Sequence, residues 1–591
     1  MKNNTSKWIG KIILFVFILL SSVWTSYFLN FNQPVLTIAA ATAVYYLYSK
    51  MSLNHSIRSN WVILLYSLLF SLAFVMGKQV NYVWIRSSMS ENYIVIGKKS
   101  ILTVLTFAIL IYPVFQKISE LISVKKIKRA DEKKALKDPL FFVISWLIIF
   151  VFWLPYLLTF YPGGIVGDGA QTLRYAMTPG VLLHNHWVVL YILVLRFFLW
   201  LGKLISPDVN VGVFLYVLCE SIVFSGVCAF VCYSIRKKGA PLFLQWGSVF
   251  MYSISGFFAS YSISLWKDTI FAAAIVLFVI LLWDLPTDGK IPVGYCIKFG
   301  LLALFMCFWR NNGLHIFLFI LLGILLIYRK RVLKLLIPGV LVFLCTVIIQ
   351  GPVYNALGVE KDTFVDFLSV PMQQIAAVIG ENRNLSDSQQ EILFNIISEE
   401  DWKNRYSPTI SDNLKDAVNK DYLQSHLKDF LLVWAQLLIP NFFTYVRAYM
   451  MQTLGFWQPG VFLGGYLDYW IGIQDLFDAG YVNRDFIEEI TGVSVKEDLI
   501  SMIKFIPSGT IVWIMWFSFA AIFNQSEKKK RLMLFLPLIV SWLVVMLATP
   551  IAYSYRYIFM IPTALPIIVY LPFWNETNAS TTENISTTSN D

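Results

Sequence analysis

Long apolar runs alternate with short polar or basic segments along almost the whole chain. Because about 20 apolar residues span the hydrocarbon core of a bilayer as a helix, about 14 of these runs are candidate membrane spans. They lie near residues 8–29, 35–49, 60–77, 100–116, 139–160, 211–235, 241–262, 269–284, 293–309, 314–328, 333–350, 508–524, 532–549 and 557–573. The pattern predicts an all-α polytopic membrane protein with both termini in the cytoplasm.

One further apolar run, 187–205, does not fit this alternation. If it crossed the membrane, the basic clusters at 236–238 and 329–334 would lie outside, against the positive-inside rule. Arg196 and Lys203 within the run also suit a helix that lies along the membrane surface. We therefore predict an interfacial helix here.

The orientation of the spans follows from a basic loop at 117–138. Such loops stay in the cytoplasm, so the span 139–160 runs outward and the polar stretch after it emerges on the extracytoplasmic face. The sequence divides accordingly into an N-terminal membrane region, a membrane core, an extracytoplasmic and mainly helical region, C-terminal spans and a disordered tail. Their bounds are 1–138, 139–350, 351–505, 506–574 and 575–591. Within the third part, 430–451 is an alternative additional membrane hairpin.

The composition excludes a soluble protein, since 57% of the residues are hydrophobic, 14% are charged and the mean hydropathy is +0.64. The net charge of +11 does not indicate nucleic acid, because the positive residues fall in short clusters between apolar runs. The six cysteines lie inside apolar runs at spacings that suit neither zinc nor a disulfide framework.

The polar stretch 161–173, YPGGIVGDGAQTL, directly follows a predicted span. Pro162 and Gly163 favour the end of that helix. Asp168 stands between two glycines, so we expect it in an accessible loop at the membrane surface, where an ionised carboxylate is able to act as a general base. The alternative interpretation is an ordinary turn aspartate.

Four further polar turns are predicted on the same face of the membrane. They contain His184, Asn185 and His186; Trp266, Lys267 and Asp268; Arg310, Asn311 and Asn312; and Tyr555, Arg556 and Tyr557. Taken singly, each cation is more often a membrane-surface anchor and each histidine a satisfied polar residue. Together with Asp168 they supply two carboxylates and three cations, the set that a site needs to bind a phosphate and activate a hydroxyl.

The order of these features resembles the GT-C superfamily of membrane glycosyltransferases, which take sugars from polyprenyl-phosphate carriers at the outer face. The resemblance covers about 139–350 and 508–574. The chain also resembles a group of uncharacterised bacterial polytopic proteins that share a pattern of YPG, Asp and Gln. The matching residues here are Tyr161, Pro162, Gly163, Asp168 and Gln171.

The resemblance implies an inverting glycosyltransferase of the cell membrane with an extracytoplasmic active site. The donor would be a polyprenyl-phosphate-linked sugar, and the acceptor a cell-envelope polysaccharide, a teichoic acid-like polymer or a lipid. Asp168 would take the proton of the acceptor hydroxyl, while Arg310 and Arg556, with Lys267 as third choice, would hold the leaving phosphate. Further implied substrate-binding residues are Gln171, His184, His186, Asn311 and Tyr557.

Asp268 is the second implied catalytic residue. It would ligand a metal, orient His184 or His186, or pair with Lys267, and the last two are favoured. Gly169 stands where the family often has a second acid, and HNHW replaces a His-Pro-Pro element. No metal ligand is therefore assigned, although a divalent metal stays open as a cofactor.

Two other functions remain open at the level of sequence. A transporter or flippase of lipid-linked sugars would place charges near the bilayer midplane, whereas most ionisable residues here lie at span ends, Glu220 and Arg196 being the exceptions. A polysaccharide polymerase or ligase would use the same kind of donor.

Overall fold

The computed structural model describes residues 2–574 with several gaps. The gaps are 32, 52–56, 81–93, 125–136, 166–167, 179–182, 287–290, 361–363, 461–479, 524, 526–527, 549–550 and 553. Most of the predicted basic loop, Gly167 beside Asp168, and the predicted disordered tail 575–591 lie outside the described residues. The described part is helical, and its only β-type contacts are isolated bridges.

Thirteen of the first fourteen α-helices lie in the apolar runs, because a helix satisfies its own backbone hydrogen bonds in apolar surroundings, and the exception, Asp168–Met177, lies in the polar stretch after the fifth run. The helices are α1 (Lys2–Phe28), α2 (Pro34–Lys50), α3 (Ile57–Gly77), α4 (Lys98–Val124), α5 (Asp138–Thr159), α6 (Asp168–Met177), α7 (Val189–Ile205), α8 (Val209–Lys237), α9 (Leu242–Ile254), α10 (Gly256–Ser262), α11 (Lys267–Trp283), α12 (Val293–Trp309), α13 (Gly313–Tyr328) and α14 (Leu336–Ile348).

Shorter helices make up most of the 351–505 region, and the chain then returns to apolar helices. They are α15 (Tyr354–Ala356), α16 (Ser369–Gly380), α17 (Asp387–Ile396), α18 (Glu399–Asn404), α19 (Asp412–Lys415), α20 (Lys420–Ser425), α21 (Leu427–Leu438), α22 (Phe442–Gln452), α23 (Phe486–Thr491), α24 (Lys496–Ser501), α25 (Ser508–Phe523), α26 (Lys528–Met533), α27 (Leu536–Leu547), α28 (Met560–Thr563) and α29 (Leu565–Tyr570). A 3-10 turn covers Tyr555–Ile558.

By length and apolar composition, five described helices are able to cross a membrane, or up to seven if each of two bent pairs is one span. This agrees with a helical membrane protein, while the number of about 14 spans stays a prediction. Two predicted spans differ in shape. The run 241–262 bends by 60° between α9 and α10, and 557–573 is divided into short turns, because Pro562 and Pro566 each lack a backbone N–H.

One end of the helix bundle, here called the site end, contacts the 351–505 region. Isolated β-bridges join Tyr161 to Arg484, and Ile410 to Ile551. The backbone N–H of Glu360 donates to the carbonyl of Leu183 at 2.8 Å. The loop after α5, the loop before α7 and the loop before α28 therefore all contact the 351–505 region.

The opposite end of the bundle, here called the basic end, carries paired lysine and arginine side chains. Arg236 Nε lies 2.8 Å from Asp138 Oδ1, and Lys238 Nζ lies 2.6 Å from Asp284 Oδ1. The hydroxyl of Tyr570 donates to the carbonyl of Lys238 at 2.6 Å. The starts of α5 and α9 and the ends of α8, α11 and α29 therefore lie together at this end.

Helix α7 has both ends at the site end. Before it, the N–H of Asn185 donates to the carbonyl of Glu360 at 2.8 Å. After it, the side-chain amide of Asn210 donates to the carbonyl of Gly480 at 3.1 Å. Between these two hydrogen bonds, α7 packs closely across α8, and a Cβ on Gly202 would lie 2.4 Å from backbone atoms of Gly212.

The 351–505 region has an apolar core of its own. Met372 and Ile375 of α16 are fully buried there, with Trp402 and Phe430. Helix α21 contributes its buried face to this core, and the chain bends by 111° between α21 and α22, where Pro440 interrupts the helix. Whether 430–451 enters the membrane stays a prediction.

Candidate functional site

A cavity of about 720 Å³ lies between the site end of the bundle and the 351–505 region. Its size is in the range of ligand-binding cavities. It is lined by Asp168, Tyr175, His184, His186, Trp187, Lys267, Asp268, Arg310, Asn311, Asn312, His315, Val365, Asp366, Phe367, Asp412, Lys415, Asp416, Lys420, Val544, Val545, Ala548, Ile551, Arg556 and Tyr557.

Asp168 is the first residue of α6 and not part of an open loop, which corrects the sequence-based expectation. A carboxylate at a helix N-terminus is favoured by the helix dipole. The following Gly169 is buried, and a Cβ there would lie 2.3 Å from the carbonyl oxygen of Leu265. The glycine thus permits close packing of α6 on the turn before α11, and the Asp168 side chain keeps 34% exposure.

The two arginines link the two carboxylates. Arg556 Nη1 lies 2.8 Å from Asp168 Oδ2 and 3.9 Å from Asp268 Oδ2, and Arg310 hydrogen-bonds Asp268 Oδ1. Burial alone would raise the pKa of the Asp168 carboxyl, but the positive charges of Arg556 and Lys267 outweigh burial and lower that pKa to about 2. Asp168 is therefore ionised at neutral pH.

The partners of Asp268 correct its predicted role. Its side chain is only 1% exposed, and its oxygens face Arg310 and Arg556, whereas pairing with Lys267 or orientation of a histidine was expected. A buried carboxylate needs such paired cations, so Asp268 holds the arginines in place. Among the described residues, no group of three or more His, Cys, Asp or Glu is arranged to hold a metal ion.

Aromatic rings lie beside both guanidinium groups. The Arg556 guanidinium lies 5.5 Å from the ring centroid of Trp266 and 4.9 Å from that of Tyr557. Arg310 lies 5.5 Å from the rings of Phe271 and Tyr557. These cation–π contacts stabilise Arg310 and Arg556, whose side chains are 13% and 11% exposed.

Hydrogen bonds connect the 185–187 turn to two helix ends. Lys267 Nζ donates to the carbonyl of His186 at 3.2 Å, and the side-chain amide of Asn311 donates to the carbonyl of Asn185 at 2.9 Å. The indole N–H of Trp309 donates to the carbonyl of Lys267 at 2.8 Å. The turn, the start of α11 and the end of α12 therefore form one wall of the cavity.

The opposite wall belongs to the 351–505 region. His186 Nδ1 lies 3.5 Å from Asp366 Oδ2, and Lys415 Nζ lies 2.9 Å from Asp366 Oδ1 and 2.8 Å from Asp412 Oδ1. Burial opposes ionisation of Asp366, but the hydrogen bond from His186 and the charge of Lys415 outweigh it and hold its pKa well below the usual range. His184 lies further out, with Nε2 4.0 Å from Glu360.

Nine of the ten predicted site residues line the cavity; the exception, Gln171, lies on α6 outside the lining. Sequence analysis missed the residues that come from the 351–505 region and His315 of α13. The missed charged residues are Asp366, Asp412, Lys415, Asp416 and Lys420. The only local signal was the i,i+3 spacing of Asp412 and Lys415, which is common on any exposed helix.

Comparison with known proteins gives one match. A family model described as a family of unknown function, DUF6020, matches residues 175–587, more than two thirds of the 591-residue chain. The matched part includes Asp268, Arg310 and Arg556 but begins after Asp168. No curated protein and no solved structure matches the chain. The chain therefore belongs to DUF6020.

Proposed function

We propose that the protein is a membrane glycosyltransferase that moves a sugar from a polyprenyl-phosphate donor to a cell-envelope acceptor. The observation that carries this proposal is the convergence of Lys267, Arg310 and Arg556 with Asp168 and Asp268 on one cavity at the site end. These residues come from four separate segments of the chain, and each lies at or next to the end of a helix.

The net charge of these five residues suits a phosphate. Three cations minus two carboxylates leave one excess positive charge among these five residues. Arg310 and Arg556 are already held by Asp268, so the phosphate meets donors that need little reorganisation. The proposal assigns the leaving phosphate to these two arginines, with Lys267 beside them.

The same cavity has an apolar side that suits a lipid-linked donor. Val544, Val545 and Ala548 line it at the end of α27. Leu543 and Leu547 on the same helix are exposed, as expected of a helix that faces lipid. A prenyl chain that leaves the cavity along α27 would stay in apolar surroundings while its phosphate stays with the arginines.

The geometry of α7 supports the predicted extracytoplasmic site. The residues just before and just after this helix, Asn185 and Asn210, hydrogen-bond the 351–505 region, as expected for a helix that lies along one surface. The cluster at 236–238 lies at the opposite, basic end, where the positive-inside rule expects the cytoplasm.

The proposed reaction is a direct displacement at the anomeric carbon. The acceptor oxygen forms the new bond, the bond to the phosphate oxygen breaks, and polyprenyl phosphate leaves with its electron pair, so the anomeric configuration inverts. The hydroxyl proton must pass to a group of the cavity. Asp168 is the candidate from sequence, and it would have to release Arg556 first, since the pair keeps its pKa at about 2.

A transfer assay tests the function. The purified protein in liposomes is given polyprenyl phosphates that carry different radiolabelled sugars, together with envelope glycan and lipid fractions as acceptors. We expect label on an acceptor and stoichiometric polyprenyl phosphate, both strongly reduced in an Arg310→Ala/Arg556→Ala double variant and unchanged in Arg405→Ala, a surface arginine paired with Asp401. Absence of donor cleavage with every sugar would refute the proposal.

The buried Glu220 favours a transporter as the second candidate function. It is 2% exposed in the middle of α8, where ionisable residues often serve transport. A transporter would move the intact labelled donor between leaflets of the same liposomes without releasing polyprenyl phosphate. That result, sensitive to Glu220→Gln, would replace the transferase proposal.

A further inference from the structure

Both carboxylates that sequence analysis offered as catalytic groups are engaged by arginine. Asp268 is buried between Arg310 and Arg556, and Asp168 lies 2.8 Å from Arg556. An efficient general base has a pKa near the working pH, whereas the cations around Asp168 hold its pKa at about 2. If these arginines also bind the donor phosphate, Asp168 is the group that positions Arg556.

His186 offers a different proton acceptor in the same cavity. Its Nδ1 faces Asp366 at 3.5 Å, and Asp366 is itself held by Lys415 at 2.9 Å. A histidine oriented by a carboxylate, which is fixed in turn by a third group, is the arrangement that makes imidazole an effective base. Nε2 lies on the opposite edge of the imidazole ring from the nitrogen that faces Asp366.

The ring is also close to the proposed phosphate site. Lys267 Nζ hydrogen-bonds the carbonyl of His186 at 3.2 Å, and the charge of His186 acts on Asp168. The side chain of His186 is 38% exposed and lines the cavity. An acceptor hydroxyl in this part of the cavity would therefore lie close to both the His186 ring and a donor bound at the phosphate site.

We propose that His186 accepts the proton of the acceptor hydroxyl and that Asp366 is its positioning residue. This inference rests on the proposed function. As the acceptor oxygen bonds to the anomeric carbon, its O–H bond breaks and the proton passes to the imidazole, while polyprenyl phosphate takes the electrons of the broken C–O bond. The imidazolium, stabilised by Asp366, then releases the proton to water.

The pH dependence of turnover separates this base from Asp168. The charged or titratable groups that face His186 are Asp366, Lys267, Asp168 and His184. A histidine must be unprotonated to accept a proton, so kcat should rise with pH along an acid limb that reports the protonation of His186. Asp366→Asn removes the charge that stabilises imidazolium, which should move this limb to lower pH.

The experiment compares His186→Gln, His186→Ala, Asp366→Asn and Asp168→Asn in the transfer assay. The control is His426→Gln, because His426 stacks on Tyr422 in the 351–505 region outside the cavity. We expect kcat to fall about 10²- to 10⁴-fold in His186→Gln, with its acid limb abolished and donor KM little changed. Added imidazole should restore part of the turnover of His186→Ala.

Asp168→Asn should mainly raise donor KM and keep the acid limb. Thermal stabilisation by polyprenyl phosphate in His186→Gln verifies that this variant is folded and binds the donor group. Parental kcat in a folded His186→Gln, or loss of the acid limb in Asp168→Asn alone, would overturn the inference while leaving the transferase function intact. Failure of the parental protein to cleave any donor would instead remove the function itself.

Discussion

At the scale of single residues, the candidate site is a chain of alternating charges. Asp168, Arg556, Asp268 and Arg310 follow one another through ion pairs. A buried charge is costly when its partner is removed, typically about 3–5 kcal/mol. This series of ion pairs therefore aligns two guanidinium groups before any substrate binds. Conservative substitutions of its four residues should be informative.

Arg556→Lys keeps a positive charge but loses the planar guanidinium, which is able to bind a phosphate through two nitrogens. Loss of a charge-assisted contact to phosphate costs about 1.5–3 kcal/mol, so donor KM should rise roughly tenfold to a hundredfold or more in Arg556→Ala and recover only in part in Arg556→Lys. Steady-state kinetics with varied donor measures this, with Arg405→Ala as the surface control. Unchanged donor KM in Arg556→Ala would leave this residue a structural anchor.

A substitution at Gly169 tests whether the close packing of α6 on Leu265 stabilises the site. In Gly169→Ala the new methyl group would meet the carbonyl oxygen of Leu265 at 2.3 Å, which forces α6 and Asp168 to shift. Overpacking of this kind costs about 1–3 kcal/mol, so the thermal midpoint in detergent should fall. Gly247→Ala in α9, where nothing lies within 4 Å of the new Cβ, is the matched control and should be neutral or stabilising. Equal midpoints in the two variants would contradict this packing role.

Site residues were predictable from the sequence where a polar residue interrupts an apolar run. Lys267, Asp268 and Arg310 stood out in this way, and they do line one cavity. The partners of these residues were not predictable. Asp268, at the start of α11, pairs with Arg310, just after α12, and the two residues are 42 positions apart in the sequence. Asp366 gave no signal, and Lys415 gave only its unspecific i,i+3 spacing to Asp412, because an exposed polar segment has no periodicity that indicates what it covers.

At the scale of elements, apolar runs predicted the helices themselves but not their breaks. The run 269–284 is α11, Lys267–Trp283, within two residues. The run 557–573 is divided because several prolines fall within it, and a hydropathy pattern does not register a missing N–H. Helix α7 is the element whose placement decides the topology, because Lys267, Asp268 and Arg310 all follow it in the chain.

The prediction for α7 is that it does not cross the membrane. Single cysteines at Ser206, after α7, and at Lys237, at the exposed end of α8, are labelled in intact cells with a membrane-impermeant maleimide. We expect reaction from outside at position 206 and only after permeabilisation at position 237, with the parental protein measuring the background from its own six cysteines. The reverse pattern would move Asp268 and Arg310 to the cytoplasmic side and refute the extracytoplasmic site.

At the scale of the whole molecule, the cavity exists only because distant parts of the chain meet. The bundle supplies α6, the ends of α12 and α27 and the turn before α28, and the 351–505 region covers them through Asp366 and Lys415. The part of this region that lines the cavity, within residues 365–445, has an apolar core separate from that of the bundle, whereas Phe456, Leu499 and Ile503 belong to the bundle core. A ligand held between the two cores should therefore stabilise the assembled fold against heat.

Polyprenyl phosphate is the simplest probe of this coupling. A ligand that binds only the folded state stabilises it by about 2.7 kcal/mol at a hundredfold excess over its Kd, so the thermal midpoint of the detergent-solubilised protein should rise with ligand concentration. The shift should be much smaller in the Arg310→Ala/Arg556→Ala double variant and unchanged in Arg405→Ala. Polyprenol and inorganic phosphate, each alone, should stabilise less, because the cavity joins an apolar wall to a cationic one. An equal shift with polyprenol would mean that the lipid chain binds without the arginines, and the phosphate site would then be wrong.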